Sequence, residues 1–319
     1  TFNGMNPLNA ITFKALKLAS LSLALINIAC GEIPNTTSDI ELVILGVSQD
    51  AGRPHIACIK SCCINPDGRP KPHEPVIALG VTDGSTAVLI EATPDLPAQW
   101  NQLKQETGKN PEALFITHAH IGHYTGLMYL GREALGGQNI AVHVGPRMGG
   151  FLTENGPWSQ LVELGQIQLH EDVLAGVECL NKQVTITGIQ VPHRDEYSET
   201  MGFLIQGPHR VALFIPDINK WDQWAIDLDS LIDHVDIALL DGTFYSAGET
   251  PNRDPSEIPH PFVEESMAMW SGWPVEKRNK VTFIHFNHSN PLHDPESEAS
   301  QQVKQAGFHV GQTGMRLHL

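Results

Sequence analysis

Three histidines fall within six residues, His118-Ala119-His120-Ile121-Gly122-His123, directly after the apolar run Ala113-Leu114-Phe115-Ile116 and a threonine. An apolar run that short reads as a buried strand. The histidines therefore lie in the loop at a strand's end. Neutral imidazole is a common protein ligand for zinc and iron. Crowding three of them at one strand end serves little structural purpose unless a cation gathers them. The plain alternative is a set of surface histidines in a chain that carries 16 of them. The spacing constrains the fold, because a metal centre at one strand end needs further ligands from other strand ends.

Such ligands recur downstream. Val191-Pro192-His193 follows an apolar alternation, Leu213-Phe214-Ile215-Pro216-Asp217 ends another strand-like run, and Phe283-Ile284-His285 ends a third. Each puts a His or Asp where a sheet hands over to a loop, the usual place for a site on a rigid scaffold. Taken alone, His193 reads equally as a surface residue and Asp217 as a helix cap. Together with the cluster they make five histidines and one carboxylate, enough for a two-metal site with Asp217 bridging.

Strand-like runs occupy 40–47, 76–81, 87–91, 113–117, 140–144, 166–169, 183–191, 200–206, 210–215, 237–240 and 281–286. Helix-like stretches fall at 96–106, 122–135, 221–232 and 262–271. Many short strands, some in hairpin order and some spaced by helices, predict two mixed sheets with helices outside them. The fold class is α/β (α+β), and one domain from 40 to 319 is the simplest division. Trp221, Trp224, Trp270 and Trp273 read as packing residues.

The chain has 36 acidic and 20 basic residues, for a net charge of −16. That argues against a general nucleic-acid or anionic-membrane binder. A small-molecule substrate is expected, and a homodimer is left open. Lys14 and Lys17 precede an apolar stretch, 18–26, too short to span a bilayer. It ends at Asn27-Ile28-Ala29-Cys30-Gly31, which resembles a bacterial lipoprotein signal. Residues 1–30 are thus expected to be a signal peptide with Cys30 as lipidation site, and 31–39 a tether. An ordinary secretory signal or an uncleaved anchor is the alternative. The expected location is periplasmic or outer-membrane, with membrane contact only through the lipid anchor.

Cys58, Cys62 and Cys63 fall within six residues. Three cysteines so close more often mean metal than disulfide, although a disulfide from Cys58 to one of the pair remains a rival in an exported protein. Cys179 reads as a small buried hydrophobe.

The order Thr-His-Ala-His-Ile-Gly-His, then His193, Asp217 and His285, resembles the metallo-β-lactamase-fold hydrolases. More narrowly, the chain is similar to the pyrroloquinoline quinone biosynthesis protein B family. The narrower likeness runs through Leu45-Gly46 to Cys63, 92–96, 191–194, 215–217, 240–245, 258–261 and 285–291. The resemblance implies an αββα sandwich with metals at one edge. It implies that His118, His120 and His193 hold a first ion, that His123 and His285 serve a second, and that Asp217 bridges them. The family pattern has an Asp immediately before the last His of the cluster, where this chain has Gly122. Asp95, Asp195 and Glu196 are the carboxylates considered as replacements. Cys58, Cys62, Cys63 and His288 match a structural zinc site of related phosphodiesterases. Asp241 and His260 match a proton relay of the transfer-RNA 3′-processing branch. Tyr245 and Arg194 are the expected substrate contacts, with Gly52 and Arg53 as further framing residues.

The leading expectation is a hydrolase using metal-bound hydroxide on an ester, lactone, amide or phosphodiester. It would carry one or two catalytic zinc ions, with iron or manganese as alternatives, and a structural zinc. An iron-dependent oxidative enzyme of the quinone-cofactor type and a non-catalytic metal-binding lipoprotein are the rivals. Fold kinship alone says little about substrate.

Overall fold

The computed structural model describes residues 39–251 and 253–319. The expected signal, Cys30 and most of the tether lie outside them. Among the described residues, no helix is long and apolar enough to cross a membrane.

The first sheet holds β1 (Glu41–Gly46), β2 (Ala78–Thr82), β3 (Ala87–Ile90), β4 (Ala113–Phe115), β5 (Ile140–His143) and β6 (Ile167–His170). The second holds β7 (Val177–Cys179), β8 (Val184–Val191), β9 (Thr200–Gln206), β10 (Val211–Ile215), β11 (Ile237–Asp241), β12 (Val281–Ile284) and β13 (His309–Val310). The last strand, β14 (Arg316–His318), returns to the first sheet, whose order is β14-β1-β2-β3-β4-β5-β6. The second sheet runs β13-β12-β11-β10-β9-β8-β7. Each sheet is half antiparallel and half parallel, the change coming at β3 in the first and at β10 in the second.

Strand alternation divides the first sheet's side chains between two cores. Leu42 and Ile44 of β1, with Ile90 and Phe115, face Phe203, Ile205 and Phe214 of the second sheet. Val43 and Leu45, with Leu89 and Leu114, face helical residues Leu96, Trp100, Leu103, Met148 and Leu152. Two sheets back to back with helices outside is the αββα sandwich. Phe214 is fully buried between the layers. We expect Phe214→Ala to cost about 3–5 kcal/mol, read as a lower urea midpoint at unchanged m-value.

Two helix expectations need correction. The stretch 122–135 is one short turn, Ile121–Tyr124, followed by a 3-10 helix, Thr125–Leu130. The carbonyl of His123 accepts from Ala92 N, and Gly126 N donates to Ala92 O. Those backbone groups are spent on the neighbouring strand end, so the helix cannot propagate through them. A Cβ at Gly126 would sit 2.0 Å from Thr93 O, which is why glycine is needed for that approach. The stretch 221–232 is likewise split, into Trp221–Gln223 and Leu228–Asp233, the latter capped by the Asp227 side chain. The tryptophans are structural: Trp221 donates to Ser266 Oγ and Trp224 to Gln190 O, while Trp270 and Trp273 stack.

The turn after β1 stitches the two sheets together at one edge. Gln49 N donates to Phe286 O, and Phe286 N to Val47 O. That pairing brings residues 48–50 alongside the segment that follows β12.

Candidate metal centre

Successive strand ends deliver the site. His118, His120 and His123 follow β4, His193 follows β8, Asp217 follows β10 and His285 follows β12. His118, His123, His193, Asp217, His260 and His285 are all buried. The ligand-type atoms of His118, His120 and His193 lie within 4.8 Å of one another, and so do those of His118, His123 and Asp217. A third trio, Asp50, His123 and His285, meets the same limit. Asp217, itself a member of the second trio, lies between the other two. Its Oδ1 is 3.6 Å from His193 Nε2, and its Oδ2 is 2.9 Å from His123 Nε2 and 3.2 Å from His285 Nε2.

The outer hydrogen bonds fix which imidazole nitrogens face the centre. Thr117 donates its single hydroxyl proton to Glu91 Oε1 at 2.6 Å, so at 2.9 Å it accepts from His118 Nδ1. Thr243 donates to Asp241 Oδ1 and accepts from His285 Nδ1 in the same way. His123 Nδ1 donates to Glu91, and His260 Nδ1 to Asp241. In His118, His123 and His285 this leaves Nε2 as the nitrogen turned towards Asp217. A hydroxyl has one proton to give, and this assignment uses it once. Holding the far nitrogen of a ligating histidine on a carboxylate or hydroxyl is the usual outer support of a metal site. His120 is turned the other way: Nε2 meets Glu196 at 3.1 Å, and Nδ1 faces His118 Nε2 at 2.9 Å.

The donor set fits a cation. His123 Nε2, His193 Nε2, His285 Nε2, Asp217 Oδ2 and Asp50 Oδ1 are buried and make no hydrogen bond, although some lie at hydrogen-bonding distance from each other. Orphaned buried polar atoms are costly one by one. Five that converge share one remedy. Burial holds His118 well below its usual range and His193 down at about 4 against the pull of Asp217. Both are thus in the neutral, ligating form. At His123 the opposite holds: burial is outweighed by Glu91 and Asp217, so positive charge is favoured there. Three residues around the site, Asp50, Glu91 and His285, have positive φ of 22°, 79° and 63°. Such strain in non-glycine residues gathers at functional sites.

Cys58, Cys62, Cys63 and His288 form a separate group. The Sγ separations are 3.7 Å for Cys58–Cys62 and 3.9 Å for Cys62–Cys63. Ligands at 2.3 Å in a tetrahedron lie about 3.8 Å apart, whereas a disulfide needs about 2 Å. All three cysteines are free thiols. Burial pushes Cys63 up to about 12, and burial together with His55 holds His288 at about 4. The His55 amide donates to Cys63 Sγ at 3.3 Å, and its ring lies against His288.

Other expected residues fall elsewhere. Tyr245 is buried in the main core and its hydroxyl donates to Gln302, so the structure shows it as a packing residue and not a substrate contact. Arg53 donates to Cys62 O and supports the cysteine loop. Arg194 is half exposed and 3.6 Å from Glu196. Asp95 is taken by Val76 N and His73, and Asp195 by Arg147. Glu196 meets the outer nitrogen of His120 and Arg194. Of the three carboxylates considered for the gap left by Gly122, none therefore reaches His123. Sequence reading passed over Asp50, Glu91, Thr117 and Thr243. Asp50 carried a usable signal, a polar residue just past the apolar β1 run. Glu91 also ends an apolar run, but a buried acid at that point has no distinguishing spacing.

The model of the beta-lactamase superfamily domain matches residues 86–286, which take in every histidine of the buried centre and Asp217. The chain belongs to this superfamily. It is 22% identical over 314 residues to coenzyme PQQ synthesis protein B of Rhizobium meliloti (strain 1021), covering 89% of this chain and all of that one. It is 24% identical to the protein of the same name from Methylobacterium sp. (strain 4-46), covering 88% of this chain and all of the relative. Among solved structures, Zn(2+)-bound PqqB from Methylobacterium extorquens superposes with TM-score 0.71 at 20% identity, over 88% of this chain and all of that one. A diphosphatase from the PhnP family superposes with TM-score 0.61 at 19% identity, over 88% and 97% of the respective chains. These likenesses bear out the expected sandwich.

Proposed function

We propose that this superfamily member is a metal-dependent hydrolase. Two ions would be held by the His118–His120–His193 and His123–His285 sets, with Asp217 between them. The observation that carries this reading is the convergence of orphaned nitrogen and oxygen atoms, from separate strand ends, on either side of one buried carboxylate. When bound, such ions supply Lewis acidity and lower the pKa of coordinated water.

The chain's own residues supply the rest. Glu91 and Asp241, through Thr117 and Thr243, fix the rings so that little reorganisation is needed on binding. His260 holds its Nδ1 on Asp241 and lies 3.7 Å from Asp217 Oδ1. Its Nε2 is thereby left to face a substrate. Burial, which alone would depress His260, is outweighed by Asp241, so the ring is shifted towards its protonated form. That suits a general acid delivering a proton to a leaving oxygen. The substrate is then an ester whose alkoxide leaves only when protonated, carbon- or phosphorus-centred.

His260→Ala is expected to lower kcat on alkyl esters or phosphodiesters by about 100-fold, and to spare nitrophenyl substrates, whose leaving group needs no proton. Equal losses on both classes would remove the acid role. The donor set of the centre, all nitrogen and oxygen, also admits iron, and the likeness to PQQ synthesis protein B keeps an oxidative enzyme as the second reading. Zinc-loaded protein that hydrolyses a member of an ester, lactone and phosphodiester panel supports the first. Protein active only with iron and oxygen supports the second.

A further inference from the structure

Resting on the two-ion reading above, we infer that Asp50 is the carboxylate ligand of the second ion, and that it fills the space left by the missing side chain at position 122. Asp50 Oδ1 lies 3.6 Å from His123 Nε2, is buried and makes no hydrogen bond. It shares a ligand-sized cluster with His123 and His285. A Cβ built on Gly122 would stand 2.4 Å from both the Cα and Oδ1 of Asp50. Real Cβ contacts do not come that close, so Asp50 as placed and any side chain at 122 exclude each other.

The two positions are therefore one device. The carboxylate has moved from the loop after β4 to the turn after β1, and the residue before His123 has become glycine to admit it. The fold holds Asp50 in place through the backbone pairing of Gln49 with Phe286, one residue from His285. Its φ of 22° is a conformation that Asp and Asn tolerate better than most residues. None of the other acids considered takes up this position: Asp95 and Asp195 are engaged elsewhere, and Glu196 stands behind His120.

The test is zinc binding by equilibrium dialysis with elemental analysis, on the full chain. Four proteins are compared: wild type, Asp50→Asn, Asp50→Ala and Gly122→Ala. Wild type is expected to bind two ions beyond the cysteine-held one. Asp50→Asn and Asp50→Ala should weaken one of those two at least tenfold and leave the other intact, since losing even an outer-shell partner costs about 10- to 100-fold. Asp50→Asn keeps shape and turn preference, so it separates loss of a ligand from loss of folding. Gly122→Ala should weaken the same ion, because its Cβ would meet both the Cα and Oδ1 of Asp50 at 2.4 Å and push the carboxylate off His123.

Unchanged zinc affinity in both Asp50 variants would overturn the assignment of Asp50 and leave the hydrolase reading standing. A folded Gly122→Ala variant that binds the second ion as tightly as wild type would overturn the mutual exclusion of the two positions. Wild type with no ion beyond the cysteine-held one would sink the two-ion reading itself.

Discussion

Asp217→Ala is expected to lower kcat/KM on any substrate the wild type turns over by more than about 1,000-fold, with loss of zinc from the buried centre. Outer-shell partners alone are worth about 10- to 100-fold, and Asp217 is the carboxylate lying between His193 on one side and the His123–His285 pair on the other. Its two oxygens divide the work: Oδ1 faces His193 and Oδ2 faces His123 and His285. Removing it leaves bare imidazole nitrogens with no negative charge between them. The histidines then lose the pull that favours a cation over a void. Asp217→Asn keeps the volume and one carbonyl oxygen, so it should lose zinc to a similar degree while folding like wild type. Zinc content and turnover near wild type in both variants would refute the bridging role.

The second large effect lies outside the buried centre. Cys63→Ser is expected to release one zinc per chain and to destabilise the loop 51–75 by about 4 kcal/mol, the linkage due to a ligand present at about 1,000 times its Kd. That loop contains no helix or strand, and a segment of this length needs some other source of order. It even exposes Ile56 and Ile59. Limited proteolysis should cut the variant within 51–75 while the sandwich persists. The site also has a pH sign. With Cys63 raised to about 12, the metal-free thiol is protonated at neutral pH, so zinc must displace a proton to bind. His288, held at about 4, gives up no proton above about pH 5. Zinc affinity at this site should thus rise with pH, and the ion should be lost on acidification. An intact zinc count in Cys63→Ser, or an affinity flat with pH, would remove the thiolate site.

The two-sheet layout was legible because almost every strand is a short apolar run with a polar residue at its end. The same grammar singled out His193, Asp217 and His285. What failed to show was whatever depends on contacts between distant segments. The stretch 122–135 has helical composition, but its backbone is claimed by Ala92. Tyr245 follows the buried Asp241 by four residues, yet its ring packs in the core cluster and its hydroxyl is spent on Gln302. The missing carboxylate at 122 was visible as a gap, while its neighbour Asp50 lies 72 positions earlier, and no local pattern joins the two. Outer supports such as Glu91 are invisible for the same reason: an acid at a strand end becomes meaningful only when a ring from elsewhere lands on it.

His285 and His288 stand three residues apart on one segment, the first turned to the buried carboxylate and the second to the thiols. The loop bearing those thiols starts beside Asp50. With ions in both places, the two centres are mechanically in series: the thiolate ion clamps both strands of backbone that carry ligands for its neighbour. Stripping the outer ion would slacken the inner one. Under zinc scarcity, metal retention at the buried centre would then follow the occupancy of the cysteine cluster.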